Sequence, residues 1–246
     1  MKDAQVYDVW EAVLPRRTAL GVAPALVAAP PTGHVVLLGD SVLDNAGYLG
    51  GRGPDVVTQL RARLPAGWRA TLLAKGGSVT LDVPEQLRRL SADASHLVIS
   101  AGGNDAGRQE GVLGSPVRSV AEALAKIAGI REQFRRDYQA MLASVLVRRL
   151  PLALCTIYDP RFPDLARRSA AIVALGTFND IITREAFGRG LPVIDLRLVC
   201  DEDEDFAAPA GPSVRGGGKI AAAIGQFATR HDPAARHSAI YLGDTR

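Results

Sequence analysis

His34-Val35-Val36-Leu37-Leu38-Gly39-Asp40-Ser41 is an apolar run that stops abruptly at a glycine, an aspartate and a serine. A short β-branched and leucine run ended by glycine is the mark of a strand buried on both faces, as in a parallel sheet. Ser41 then sits just beyond the carboxyl end of that strand, where ligands bind in open α/β sheets. It is the first candidate nucleophile, although Gly-Asp-Ser alone is equally ordinary turn chemistry or a helix N-cap. Two later stretches decide between these readings. Residues 72–77 and 97–105 are again apolar runs broken by glycines, and the second delivers Asn104 and Asp105 to the same edge. Three consecutive strand ends thus converge on one rim.

Working outward, the chain alternates strand and helix. Val56, Val57 and Leu60 repeat at helical spacing towards Leu64, and 68–74 reads as the second strand. A helix over 83–90, a third strand over 94–101, one or two helices over 116–150 and a fourth strand over 152–157 follow. A helix over 165–187 leads to a fifth strand at 191–195. Strands alternating with helices favour right-handed crossovers and a parallel sheet, so the expected fold is a five-stranded three-layer α/β/α domain. Residues 196–212 read as a long acidic loop, 217–229 as a last helix and 231–246 as a C-terminal tail. Gly216-Gly217-Gly218-Lys219 lacks the preceding strand and the following Ser or Thr of a phosphate loop, and is set aside.

The chain has 246 residues, 47% of them apolar, enough for a full core in a single domain over 32–230. Its net charge of +3 is spread among acids on helix surfaces, which argues against a nucleic-acid partner. No run reaches the roughly 18 to 20 apolar residues of a membrane span. Cys155 and Cys200 read as free buried thiols. Residues 1–31 read as an N-terminal extension with helical spacing over 7–14. Arg16-Arg17 and the apolar stretch 18–29 have the make-up of an export signal, but Asp3, Asp8 and Glu11 precede them and Pro24 interrupts the run, so a cytoplasmic chain is expected.

Gly39-Asp40-Ser41, Gly77 and Gly102-Gly103-Asn104-Asp105 resemble, in order and spacing, the first three blocks of the GDSL-type or SGNH hydrolases. The resemblance implies a flavodoxin-like α/β/α fold and hydrolysis of an ester-linked acyl group on a small molecule, with no metal or organic cofactor. It assigns nucleophilic attack to Ser41. The backbone N–H groups of Ser41 and Gly77 and the Asn104 side-chain amide would face the oxyanion. Those types suit the chemistry, because glycine allows close backbone approach and an Asn amide aims a strong donor. Asp40 and Asp105 are expected to hold the loops by bonding backbone N–H groups.

The family's last block, Asp-x-x-His before Pro-Ser, breaks the pattern. Pro212-Ser213 fixes the register, which puts the histidine at Gly211 and the aspartate at Ala208. A missing base costs orders of magnitude while the oxyanion donors and binding leave a residual rate. Replacement bases to consider are His231 or His237 from the tail and Asp201, Asp203, Asp205, Asp159 or Asp195 at the rim; His34 and His96 begin their strands and lie at the wrong end. On this reading Ala208→Asp with Gly211→His would restore an imidazole. The alternative is a catalytically weak or inactive module that binds an acylated or carbohydrate ligand. A phosphate-binding module is disfavoured by the acids around Ser41.

Overall fold

The computed structural model describes residues 32–235 and 237–243; the expected helix over 7–14 and the stretch over 18–29 lie outside them. The strands are β1 (His34–Gly39), β2 (Arg69–Leu72), β3 (His96–Ser100), β4 (Leu152–Cys155), β5 (Val193–Ile194), β6 (Phe206–Ala208), β7 (Gly211–Pro212) and β8 (Ile240–Tyr241). The helices are α1 (Ala46–Leu49), α2 (Val56–Arg63), α3 (Val83–Gln86), α4 (Gly103–Arg108), α5 (Val120–Leu146), α6 (Leu165–Phe187), α7 (Leu196–Val199) and α8 (Val214–Arg230).

The main sheet has the order β2-β1-β3-β4-β5-β8 with every pair parallel. Its first five strands follow the flavodoxin-like order, whose switch point lies between β1 and β3. Alternation along β1 builds the three layers. Val35 and Leu37 pack with α2 and α8 through Leu60, Ile220, Ile224 and Phe227, while Val36 and Leu38 face α3, α5 and α6 through Val83, Tyr138, Leu142 and Ile182. Both faces of β1 are therefore buried, as its unbroken apolar run implies.

Two expectations change. The sheet has six strands rather than five, because Ile240–Tyr241, in what reads as a tail, pairs in parallel with Val193–Ile194. The acidic loop 196–212 contains α7, whose N-cap Asp195 accepts from Arg197 N, and a small antiparallel hairpin of β6 and β7. The glycines that open α8 serve packing. A Cβ on Gly216 would lie 2.1 Å from the Asp205 carbonyl oxygen and one on Gly218 2.7 Å from Gln59 Oε1. Lys219 Nζ is held by Asp205 Oδ2 at 2.7 Å and Asp201 Oδ1 at 3.2 Å. Cys155 and Cys200 are both free and buried. Among the described residues no helix is long and apolar enough to cross a membrane.

Candidate active site

The rim is built first by Gly39. Its φ is +114°, and a Cβ there would lie 1.7 Å from the Ser100 carbonyl oxygen, so only glycine lets β1 turn this close to β3. The buried Gln86 fixes the turn from α3, accepting from Gly39 N at 2.7 Å and donating through Nε2 to Gly39 O at 2.8 Å. Asp40 Oδ1 then accepts from Val42 N at 3.1 Å and Ser100 Oγ at 3.0 Å, while its carbonyl accepts from Leu43 N and Asp44 N. These bonds consume the N–H groups of residues 42–44. Among the described residues no hydrogen bond uses the Ser41 N–H.

The second loop folds onto the first. Ser78 N donates to Lys75 O at 3.1 Å across a turn in which Gly77 has φ +81°, the position of a type II turn that requires glycine. Asp44 Oδ2 accepts from Gly76 N at 2.9 Å, and a Cβ on Gly76 would stand 3.7 Å from Ser41 Cβ. The Gly77 N–H, like that of Ser41, takes part in no hydrogen bond among the described residues. The third loop is tied to the second by Asn104 Nδ2, which donates to Ser78 O at 2.8 Å, and by Asp105 Oδ2, which accepts from Thr80 N at 3.0 Å. An Asn amide has two N–H bonds, so one remains for a ligand. Ser41, Gly77 and Asn104 thus lie on three loops locked to one another at one rim, and Asp40 and Asp105 hold turns as expected.

The group that bonds to Ser41 is one that sequence reasoning missed. Tyr48, in α1, places its hydroxyl 3.0 Å from Ser41 Oγ. Its ring lies over Gly211, where an added Cβ would meet the ring carbons at 2.5 to 2.7 Å. The place from which the family's histidine would project is therefore filled by the Tyr48 ring. The Cβ that Gly211→His would add collides with the Tyr48 ring where it now lies. The fully buried Asn45 secures this arrangement, donating from Nδ2 to Pro212 O at 3.3 Å and accepting from Val56 N at 2.9 Å. The available signal was a single aromatic residue in an otherwise glycine-rich loop following Ser41.

None of the expected replacement bases bonds to Ser41. His231 packs on Phe227 with Nδ1 3.1 Å from the Tyr241 hydroxyl, and Asp201 Oδ1 accepts from Lys219 Nζ at 3.2 Å. Asp205 is bound by Lys219 Nζ, Asp203 by Arg161 at 2.8 Å and Asp195 by Thr156 Oγ1 at 2.8 Å. Asp159 and the exposed His237 form no bond with it either. Burial, together with the nearby Asp105 charge, pushes the Asp40 carboxyl up from 3.8 to about 7, and burial also raises Asp105. Below about pH 7 the raised Asp40 carboxyl is therefore uncharged beside the rim.

Ser41, Tyr48 and Asn104 stand at the polar end of a cavity of about 250 Å³. Its walls are apolar, with Ile127 and Ile130 from α5, Leu175 and Phe178 from α6, and Val112 and Leu113 from the segment before α5. No group of three or more metal-ligating side chains occurs among the described residues.

The profile of the GDSL-like lipase/acylhydrolase family matches residues 37–217, which span the rim, the cleft and the hairpin of β6 and β7. The chain belongs to this family. Solved structures share the GDSL-like fold at low identity. An extracellular lipase from Streptomyces rimosus is 21% identical with a TM-score of 0.55, covering 76% of this chain and 95% of its own. A lipase from a goat rumen metagenome is 19% identical with a TM-score of 0.60, covering 77% and 94%. A phospholipase A1 from Streptomyces albidoflavus is 20% identical with a TM-score of 0.54, covering 76% and 95%. A search of the curated proteins gave no match.

Proposed function

We propose that this GDSL-like protein hydrolyses small-molecule esters of aliphatic acyl chains through a covalent acyl intermediate on Ser41. The observation that carries this reading is the place of Ser41 Oγ, at the polar end of an apolar cleft and beside backbone N–H groups that no acceptor among the described residues uses. Ser41 Oγ attacks the carbonyl carbon and the carbonyl oxygen takes up negative charge. The Ser41 and Gly77 N–H groups and the second Asn104 N–H stabilise that charge, and such preorganised donors commonly supply the largest share of acyl-transfer catalysis. The acyl chain lies along Ile127, Ile130, Leu175 and Phe178, where burial contributes about 25 cal/mol per Å² of apolar surface. Water then releases the acid. No cofactor or metal enters these steps.

The missing histidine at Gly211 favours a second reading, in which the same cleft holds an acylated ligand without turnover. The test is hydrolysis of p-nitrophenyl esters from acetate to decanoate by the wild type and Ser41→Ala. Ser41-dependent turnover that improves with chain length supports the hydrolase. Equal rates in the two proteins, with saturable binding of a fatty acyl ester, support the binding module instead.

A further inference from the structure

We infer that Tyr48 is the catalytic residue that handles the proton of Ser41, standing physically in the place of the histidine that this chain lacks. The inference rests on the reading of Ser41 as nucleophile. Three observations carry it. Tyr48 Oη donates to Ser41 Oγ at 3.0 Å, and with the phenol deprotonated the same contact is short enough to take the Ser41 proton. The ring fills the space in front of Gly211, so loss of the histidine and presence of the tyrosine are one steric exchange. Asn45 ties the loop carrying Tyr48 to Pro212 and to the start of α2, which holds the phenol at a fixed distance from β7.

The ionised phenol is the active form. As the Ser41 Oγ bond to the acyl carbon forms, the Oγ proton passes to Tyr48 Oη and the carbonyl electron pair moves onto the oxyanion. When the bond to the alcohol oxygen breaks, Tyr48 gives that proton to the departing alkoxide and is again ionised. In the second half, a water proton passes to Tyr48 while its oxygen bonds to the acyl carbon. Ser41 Oγ leaves with the proton returned by Tyr48. The sum is ester and water giving acid and alcohol.

The titratable groups that line the cavity with Tyr48 are acids, Asp40 at the end of β1, Glu110 after α4 and Tyr158 just beyond β4. Among the described residues, Ser41 is the hydrogen-bond partner of the Tyr48 hydroxyl, and no lysine, arginine or histidine bonds to it. A base that must give up its own proton before it works makes the rate rise with pH.

The test compares the wild type with Ser41→Ala, Tyr48→Phe and a protein carrying 3,5-difluorotyrosine at position 48, using p-nitrophenyl butyrate from neutral to alkaline pH. Tyr48→Phe keeps the ring over Gly211, and an unchanged far-ultraviolet spectrum and melting temperature show that it is folded. General-base catalysis typically contributes 10² to 10⁴-fold, so kcat of Tyr48→Phe should fall by about that factor at little-changed KM. Difluorotyrosine, a more acidic phenol, should move the rising limb of the profile to lower pH, an effect that a packing role alone would not produce. Wild-type kcat in a folded Tyr48→Phe, or a limb unmoved by difluorotyrosine, overturns the assignment while leaving Ser41 as nucleophile. Hydrolysis that survives Ser41→Ala unchanged, or is absent in the wild type at every pH, overturns both.

Discussion

Replacing Asp40 by asparagine should make the protein more stable, by a margin that grows from mild acid to alkaline pH. The Asp40 carboxyl is buried, accepts from Val42 N and Ser100 Oγ through Oδ1, and is pushed from 3.8 up to about 7 mainly by loss of water. A folded-state value above the unfolded one means that the native state holds a proton which the unfolded state releases. Stability from this group is therefore fully present below about pH 4 and is lost as pH rises through about 7. Each tenfold change in proton affinity is worth about 1.4 kcal/mol, so the retained proton contributes about 4 kcal/mol in all, of which about 3 kcal/mol is lost between about pH 5 and about pH 9. Asparagine retains the Oδ1 acceptor for both bonds and has no charge to bury. Asp105, whose carboxyl is also raised by burial, remains in both proteins and largely cancels. Urea unfolding at a series of pH values measures the difference between the two. A stability gap that widens in favour of Asp40→Asn by about 3 kcal/mol over that range is expected. A gap independent of pH would refute the claim that Asp40 is held protonated by burial.

Two further outcomes follow from the rim and the hairpin. Asn104→Ala should lower kcat by about 10² to 10³, the usual cost of removing one oxyanion donor, and should leave KM for short esters nearly unchanged; steady-state kinetics on p-nitrophenyl butyrate checks it. Gly211→His should destabilise the fold by about 1 to 3 kcal/mol through collision with the Tyr48 ring, and Tyr48→Ala should relieve most of that cost, so a double-mutant cycle measured by urea unfolding should be strongly non-additive.

How far the sequence could be read is explained by the distance over which each signal acts. The strands β1 and β3 were legible because each is buried on both faces and so spells an unbroken apolar run up to a glycine. The nearness of Ser41, Gly77 and Asn104 followed from parallel topology, which brings successive strand ends to one rim. The sixth strand was not legible. Ile240–Tyr241 is too short to show a period, and its pairing with β5 is decided by the packed sheet. Tyr48 was missed for a related reason. Its partnership with Ser41 is local, but its reason for being there is Gly211, far along the chain, and the two meet only because β6 and β7 form a hairpin beside α1. Gln86 was hidden likewise, since nothing in a helical stretch marks one amide as the clamp on Gly39.

Peptide-mapped mass spectrometry after reaction with a fluorophosphonate asks whether Ser41 is an activated nucleophile beside an oxyanion site. A single phosphonyl adduct on Ser41 is expected, formed more slowly in Asn104→Ala and in Tyr48→Phe than in the wild type. A folded wild-type protein that forms no adduct at alkaline pH, or one whose adduct maps to another residue, would contradict it.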